Sequence, residues 1–319
     1  MRGKFLINTL KPEEKQEGTT LICCFSRMIF VPYFFACLKN LKMPRKEIHL
    51  LIFDNTQDGL LQMKLEEQIK KIQNKYKSIR LYKSYLKGKG AIAGSGNEQF
   101  DRSKLHNIWS MWKRLFTDRS KMIFTPTFFQ LEDDTIVPPH AYKRLFSILY
   151  KNPKVAMATG IATGRNPYPW FPVRLGVHRA KIQGFKILER HSLNPHTKGV
   201  VDVDCSGVYC FAARTDFFIK GFKNYDPKKY NVPFFGMDNV LTWNIKQQGY
   251  KILADFSVWC SHLNCAGNRI IAFSKDQAVE MADIWVPKFH NYAQGIEIKK
   301  KGQRDRRYQV TKHAQTWET

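Results

Sequence analysis

Three short runs between residues 19 and 84 constrain the fold more than anything else in the chain. "TTLICCF" (19–25) and "IHLLIF" (48–53) are continuously apolar, the pattern of strands buried on both faces. "SIRLYKS" (78–84) is a third strand-like run. Between them lie a helix-like segment that follows Ser26 and ends near Asn40, and residues 60–77, whose apolar positions have helical spacing with charged faces. Strand and helix alternating in this way give β-α-β-α-β, the signature of a parallel sheet with crossover helices. The expected class is therefore α/β, a Rossmann-like and mainly parallel sheet flanked by helices.

The rest of the chain extends this pattern. "KGKGAIAGSGNEQ" (87–99) is a glycine-rich, polar stretch expected to be a mobile loop, and it lacks the G-x-x-x-x-G-K-[ST] order of a phosphate loop. "SKLHNIWSMWKRLF" (103–116) has helical spacing, with Leu105, Ile108, Trp109, Trp112 and Leu115 on one side as core packing. "MIFTPTFFQL" (122–131) is a strand, and Pro138 and Pro139 suit the first turn of a helix continuing through "HAYKRLFSILYKN". "KVAMATGIA" and "VVDVDCSGVYCFAAR" are further strands, separated by a loop-rich region (164–199). Within that region, Tyr168, Trp170 and Phe171 of "NPYPWFP" form a candidate stacking surface. "DNVLTWNIKQQGY" is a helix closed by Gly249, and "KILADFSVWCSHL" is a strand ending at His262. The expected organisation is one domain over residues 1–263, followed by a basic extension of helix and tail at 264–319.

Open α/β sheets bind ligands at the carboxyl ends of their strands. The residues standing there are Ser26 and Arg27, Asp54 and Asn55, the trio Glu132, Asp133 and Asp134, and finally His262. The need to fold does not by itself explain ionisable groups at the ends of nearly apolar strands. The sharpest case is "FFQLEDDTIVPP" (128–139), because adjacent carboxylates raise one another's pKa unless something positive lies between them. In extended backbone Glu132 and Asp134 share a face and Asp133 turns away. Two carboxylates on one side suit a hard divalent ion, Mg²⁺ or Mn²⁺, with positions left open for phosphate oxygens. The plainer alternatives are an acidic helix N-terminus for the trio and turn or helix caps for Asp54 and Asp238.

Composition narrows the partners. With 52 Lys and Arg against 27 Asp and Glu, the formal charge is +25, a field that attracts nucleic acid, anionic lipid or phosphorylated sugars. The basic residues recur along the chain, which favours an extended basic face over a localisation tag. The longest apolar stretch, "MIFVPYFFACL" (28–38), is too short for a membrane span and contains Pro32. The N-terminus lacks the apolar run of a secretory signal, so the expected location is cytoplasmic and any membrane contact peripheral. Seven cysteines, an odd count with no compact framework, suggest reduced thiols. The C-x4-C spacings at 205/210 and 260/265 invite a zinc reading, but structural zinc sites favour tighter C-x2-C knuckles, so buried core thiols are expected instead.

Taken in order, these features resemble the metal-dependent GT-A glycosyltransferases, particularly the family-2 type. The resemblance covers residues 18–263 and rests on the β-α-β start, an Asp after the second strand, a D-x-D-like acidic motif, a "G-x-D" segment opening a helix, and a strand ending in His. It implies transfer of a sugar from a nucleotide-sugar donor, a UDP-sugar, to an acceptor hydroxyl with Mn²⁺ or Mg²⁺ as cofactor. It assigns the donor base to Asp54 and the first acidic place, near ribose or metal, to Glu132. Ser26, Arg27, Asn55 and Asp133 fall in the same nucleotide-sugar site. It makes Asp134 the principal metal ligand, with His262 completing the metal site. Asp238, in "FFGMDNVLTW", takes the place of the catalytic base at a helix N-terminus, and inversion at the anomeric carbon is implied. Two departures stand out: the first acid is Glu, and Met237 replaces the usual acidic neighbour of the base.

The basic excess turns the choice of acceptor towards nucleic acid, a hydroxymethylated base in DNA turned out of the duplex, as in viral DNA-modifying members of the superfamily. Three alternatives stay open: a peripheral glycosyltransferase of surface polysaccharide or glycolipid synthesis held to anionic lipid, a metal-dependent nuclease, and a non-catalytic nucleic-acid binder.

Overall fold

The computed structural model describes residues 2–11, 17–25, 27–54, 59–85, 112, 115–116, 122–162, 175–183, 186–223, 237–266 and 269–271. The first half runs β1 (Arg2–Asn8), β2 (Thr19–Phe25), α1 (Val31–Asn40), β3 (Ile48–Asp54), α2 (Gly59–Ile72), β4 (Ser78–Tyr85), β5 (Thr127–Leu131), the two-residue β6 (Thr135–Ile136) and α3 (Ala141–Lys151). Then come β7 (Val155–Ala162), β8 (Val177–Gln183), β9 (Lys186–Ser192), β10 (Val200–Asp202), β11 (Cys205–Ser206), β12 (Cys210–Arg214), α4 (Thr215–Lys223), α5 (Met237–Gln247), β13 (Lys251–His262), β14 (Asn264–Ala266) and β15 (Arg269–Ile271).

The main sheet has the order β1-β4-β3-β2-β5-β12-β7-β13-β10. Strands β4, β3, β2 and β5 are mutually parallel, as are β7 and β13, while β12 lies antiparallel between β5 and β7. Antiparallel β1 and β10 close the two edges. The result is a mixed but mainly parallel α/β sheet, as the strand patterns predict. The continuous apolar runs are explained by the pleat, since each strand feeds two cores. Leu21, Cys23, Phe25, Leu50 and Ile52 pack with α1, α2 and α3 on one face. Ile22, Leu51, Phe53 and Phe128 pack with Trp112, Phe116, Phe218 of α4 and Leu241 and Ile245 of α5 on the other.

The structure departs from expectation in several places. Residues 164–199 are not all loop: β8 and β9 pair as an antiparallel hairpin whose mixed polar and basic sequence hides its alternation. Pro138 and Pro139 stand in the turn ahead of α3, where Ala141 N–H donates to the Pro138 carbonyl at 2.9 Å, rather than within its first turn. Helix α2 ends at Ile72 and a 3-10 turn, Gln73–Lys75, continues it. Strand β1 had no strong signal; as an edge strand it needs only one buried face and covers the open side of β4.

Other expectations hold. Gly249 has φ +82 and closes α5, its N–H donating to the Lys246 carbonyl at 2.9 Å. Cys205, Cys210 and Cys260 are buried free thiols, and among the described residues no group containing them has metal-ligand geometry. The glycine-rich stretch at 87–99, Trp109, the "NPYPWFP" segment and residues 272–319 lie outside the described residues. Of the extension, the described part is the small hairpin β14–β15. No helix among the described residues is long and apolar enough to cross a membrane.

Candidate metal and donor site

From β2 the chain passes to β3 and β4 on one side, while β5 pairs with β2 on the other. The crevice between the carboxyl ends of β2 and β5 is thus a topological switch point, where open α/β sheets place ligands. Arg27 follows β2 there, and Glu132 to Asp134 follow β5.

A short piece of ladder fixes the acids. The Glu132 N–H donates to the Tyr209 carbonyl at 2.9 Å and Thr135 N–H to the Glu132 carbonyl at 3.3 Å, which closes a tight turn. Directly after it, β6 pairs with the end of β13, setting Thr135 opposite His262, and Leu263 N–H donates to the Asp134 carbonyl at 2.7 Å. Two residues of strand therefore carry the imidazole from the far side of the sheet to the acidic turn.

The outcome is a cluster in which ligand atoms of Glu132, Asp134 and His262 all lie within 4.8 Å of one another. His262 Nε2 is 3.3 Å from Asp134 Oδ1 and 3.6 Å from Glu132 Oε2. Asp134 is fully buried. Asp133, also buried, is not part of this cluster; burial pushes the Cys23 and Cys24 thiols well up, and the Asp133 charge is the next cause in each.

These three side chains fit a divalent ion. An octahedral ion with bonds of about 2.1 Å places adjacent ligand atoms about 3 Å apart and opposed ones about 4.2 Å apart, so the observed spacings need only small closures. Two carboxylates with one imidazole suit Mn²⁺ better than Mg²⁺, whose preference is for oxygen alone.

The remaining expected residues divide. Arg27 reaches the cluster itself: its Nη2 donates to Asp134 Oδ2 at 3.0 Å, its guanidinium lies over the Phe30 ring at 4.7 Å, and its buried Nε has no hydrogen-bond partner among the described residues. Asp54, fully buried at the end of β3, accepts from Lys83 Nζ at 2.5 Å. Lys83 was not anticipated; the signal available was register, because a parallel β3–β4 pairing puts Lys83 beside Asp54. Asp238 stands in the first turn of α5, outside the cluster. A Cβ on Gly207 would come within 2.8 Å of the Tyr209 ring, closer than a side chain tolerates, and within ordinary contact, 3.5 Å, of Asp238 Oδ2, so glycine here makes room for Tyr209. Tyr209 in turn lies beside His262, ring centroids 6.2 Å apart. Thr242 anchors this helix start, accepting from Ser206 N–H at 3.0 Å and donating to the Asp238 carbonyl at 3.0 Å. Ser26 and Asn55 lie outside the described residues.

The order and direction of the strands, with their flanking helices, are those of the GT-A fold. Among solved structures the chain is similar to GalNAc-T7, crystallised with UDP, GalNAc and Mn²⁺, with a TM-score of 0.51 and 16% identity over 91% of this chain. The likeness covers 52% of that enzyme, so this chain spans about half its length. A mannosyltransferase from Pyrobaculum calidifontis, PcManGT in complex with GDP-Man and Mn²⁺, matches at a TM-score of 0.47 and 9% identity, over 89% of this chain and 80% of that one, too distant to bear on the fold. No protein-family model and no curated protein sequence matches the chain.

Proposed function

We propose that this chain is a nucleotide-sugar-dependent glycosyltransferase that moves a sugar, with inversion, from a UDP-sugar to a hydroxyl of a polyanionic acceptor. The observation that carries the reading is the convergence of Glu132, Asp134 and His262 at the switch point of a GT-A sheet. In this reading these three hold Mn²⁺, Asp134 as the principal ligand, and Mg²⁺ substitutes less well. When bound, the ion supplies charge neutralisation for the diphosphate leaving group. Asp54, held by Lys83, faces the donor base, and Arg27 and the neighbouring Ser26, Asn55 and Asp133 complete the nucleotide-sugar site. Asp238 takes the acceptor hydroxyl's proton as that oxygen bonds to the anomeric carbon and the bond to diphosphate breaks.

A hydroxymethylated base in DNA is the acceptor that the chain's charge favours, since +25 suits phosphate neutralisation far better than a neutral glycan does. Free cysteines, six of them among the described residues, suit a reducing compartment, the cytoplasm. Residues 264–319 add basic charge beyond the catalytic domain at 1–263.

The test supplies Mn²⁺, a panel of labelled nucleotide sugars, and duplexes with or without hydroxymethylated pyrimidines. The expected result is label on the modified duplex alone, abolished by a chelator, with Asp238→Asn lowering kcat by about a hundredfold and proton NMR of the first product showing inverted configuration. Transfer to vesicle-borne lipid instead would move the acceptor to the membrane surface. Nicking of DNA with no donor present, or no donor turnover with any acceptor, sinks the reading.

A further inference from the structure

Asp134 presents its two oxygens to different partners. Oδ1 faces His262 Nε2 at 3.3 Å, inside the three-ligand cluster, and Oδ2 accepts from Arg27 at 3.0 Å. A cation placed among the ligand atoms would therefore sit close to a guanidinium already bound to the same carboxylate. Two positive charges on one buried carboxylate repel, and Arg27 can retreat little, because it is packed over Phe30 and its side chain is only 17% exposed. Its buried Nε, beside the acidic turn, is a donor without a partner among the described residues.

From this we infer that Arg27 is a resident cation that makes metal and diphosphate binding interdependent, a role resting on the donor site proposed above. Without ligands, Arg27 offsets the negative charge of the buried acids and holds Asp134 in place. A metal arriving alone meets that charge and binds weakly. A diphosphate arriving with the metal answers both cations at once, accepting from the guanidinium, including its orphan Nε, while its negative charge relieves the repulsion. Each ligand then raises the affinity for the other, and by linkage the two effects are equal. Lys cannot fully copy this arrangement, since it lacks the planar fork, but it keeps the charge.

The test reads binding in the intact protein, with no turnover. Free Mn²⁺ is titrated by electron paramagnetic resonance, with and without UDP, in the unaltered chain, Arg27→Met and Arg27→Lys. The unaltered chain is expected to bind Mn²⁺ at least about tenfold more tightly when UDP is present. In Arg27→Met, Mn²⁺ alone is expected to bind about tenfold more tightly than in the unaltered chain, with the enhancement by UDP largely lost, while Arg27→Lys keeps weak binding of Mn²⁺ alone. Equal Mn²⁺ affinity in the unaltered and Met forms, with the UDP effect intact, overturns the role of Arg27 and leaves the metal site standing. No Mn²⁺ binding in any form, with or without UDP, overturns both. If the Met form does not fold, the unaltered chain still decides: Mn²⁺ and UDP that bind independently of each other overturn the coupling.

Discussion

Both ends of the parallel strands are polar, and they are polar in opposite ways. At the amino ends, buried hydroxyl groups and an imidazole close on one another. Thr20 Oγ1 and Thr125 Oγ1 are 2.7 Å apart, Thr125 Oγ1 also accepts from Thr20 N–H and donates to the Thr127 carbonyl, and His49 Nδ1 meets Ser78 Oγ at 2.7 Å. At the carboxyl ends stand the buried Asp54, Lys83, Asp134 and His262 with the half-buried Arg27 and Glu132, ionisable groups held in pairs and clusters. Neutral hydrogen bonds satisfy a buried group at little cost, whereas clustered buried carboxylates are expensive to desolvate. A chain selected for stability alone has no reason to gather them. The contrast predicts that changes at one end register as activity and changes at the other as stability.

The largest expected effect is at Asp134. Asp134→Asn keeps the shape and removes the charge, so metal-dependent transfer should fall by about a thousandfold, since metal charge stabilisation is worth several kcal/mol. The melting temperature should change little, because relief of repulsion among the clustered acids offsets the loss of the charge opposite Arg27, which the amide oxygen can still accept from. A large loss of stability without loss of Mn²⁺ binding would erase the distinction between the two ends.

Lys83 tests where the boundary lies. Lys83→Met removes the lysine from a fully buried Asp54 and should cost about 3 kcal/mol in urea unfolding, as breaking a buried pair does. Adding Asp54→Leu should recover most of that stability, because well-packed apolar residues replace a buried ion pair without penalty. If Asp54 serves the donor base, the recovered double variant should still fail to bind UDP. Normal UDP binding would assign the pair to the scaffold.

Much of the sheet was legible because burial on both faces leaves a continuous apolar run, as in "TTLICCF" and "IHLLIF", and a period-2 split of such a run feeds both cores. The acids and His262 were legible as strand-end residues for the same reason: they interrupt apolar runs. The β8–β9 hairpin was hidden because its residues are largely polar and basic, so no alternation marks a buried face. The contact of Arg27 with Asp134 was hidden by distance, 107 residues apart in the chain and joined only once β2 and β5 pair. Lys83 was hidden because a lysine in a strand suggests a solvated face, and only the register with Asp54 reverses that inference.

At the amino ends, the effects should be smaller and structural. Thr125→Val preserves volume but leaves the Thr20 N–H and hydroxyl buried without their acceptor, at a cost of about 1–2 kcal/mol in urea unfolding. Binding of Mn²⁺ and UDP should be unchanged.

The smallest effect is invisible at neutral pH. Burial raises the Tyr142 phenol to about 12, against a hydrogen bond with Thr19 that lowers it. An unfolded tyrosine titrates near pH 10, so below that pH both states are protonated and Tyr142 adds no pH dependence. Between about pH 10 and 12 the unfolded chain releases the proton and the folded chain does not, so this contribution to stability declines as pH rises. Arg80, lowered to about 10 by burial, has the opposite sign: above pH 10 the folded state loses its proton before the unfolded state does, which adds stability as pH rises. The slope of the unaltered chain mixes the two. Tyr142→Phe removes only the first, so its alkaline stability should fall less steeply than that of the unaltered chain, with the two curves parallel below pH 9. Curves that stay parallel to pH 12 would mean that the amino-end phenol is hydrated, and the picture of a closed hydrogen-bonded network at that end would have to be given up.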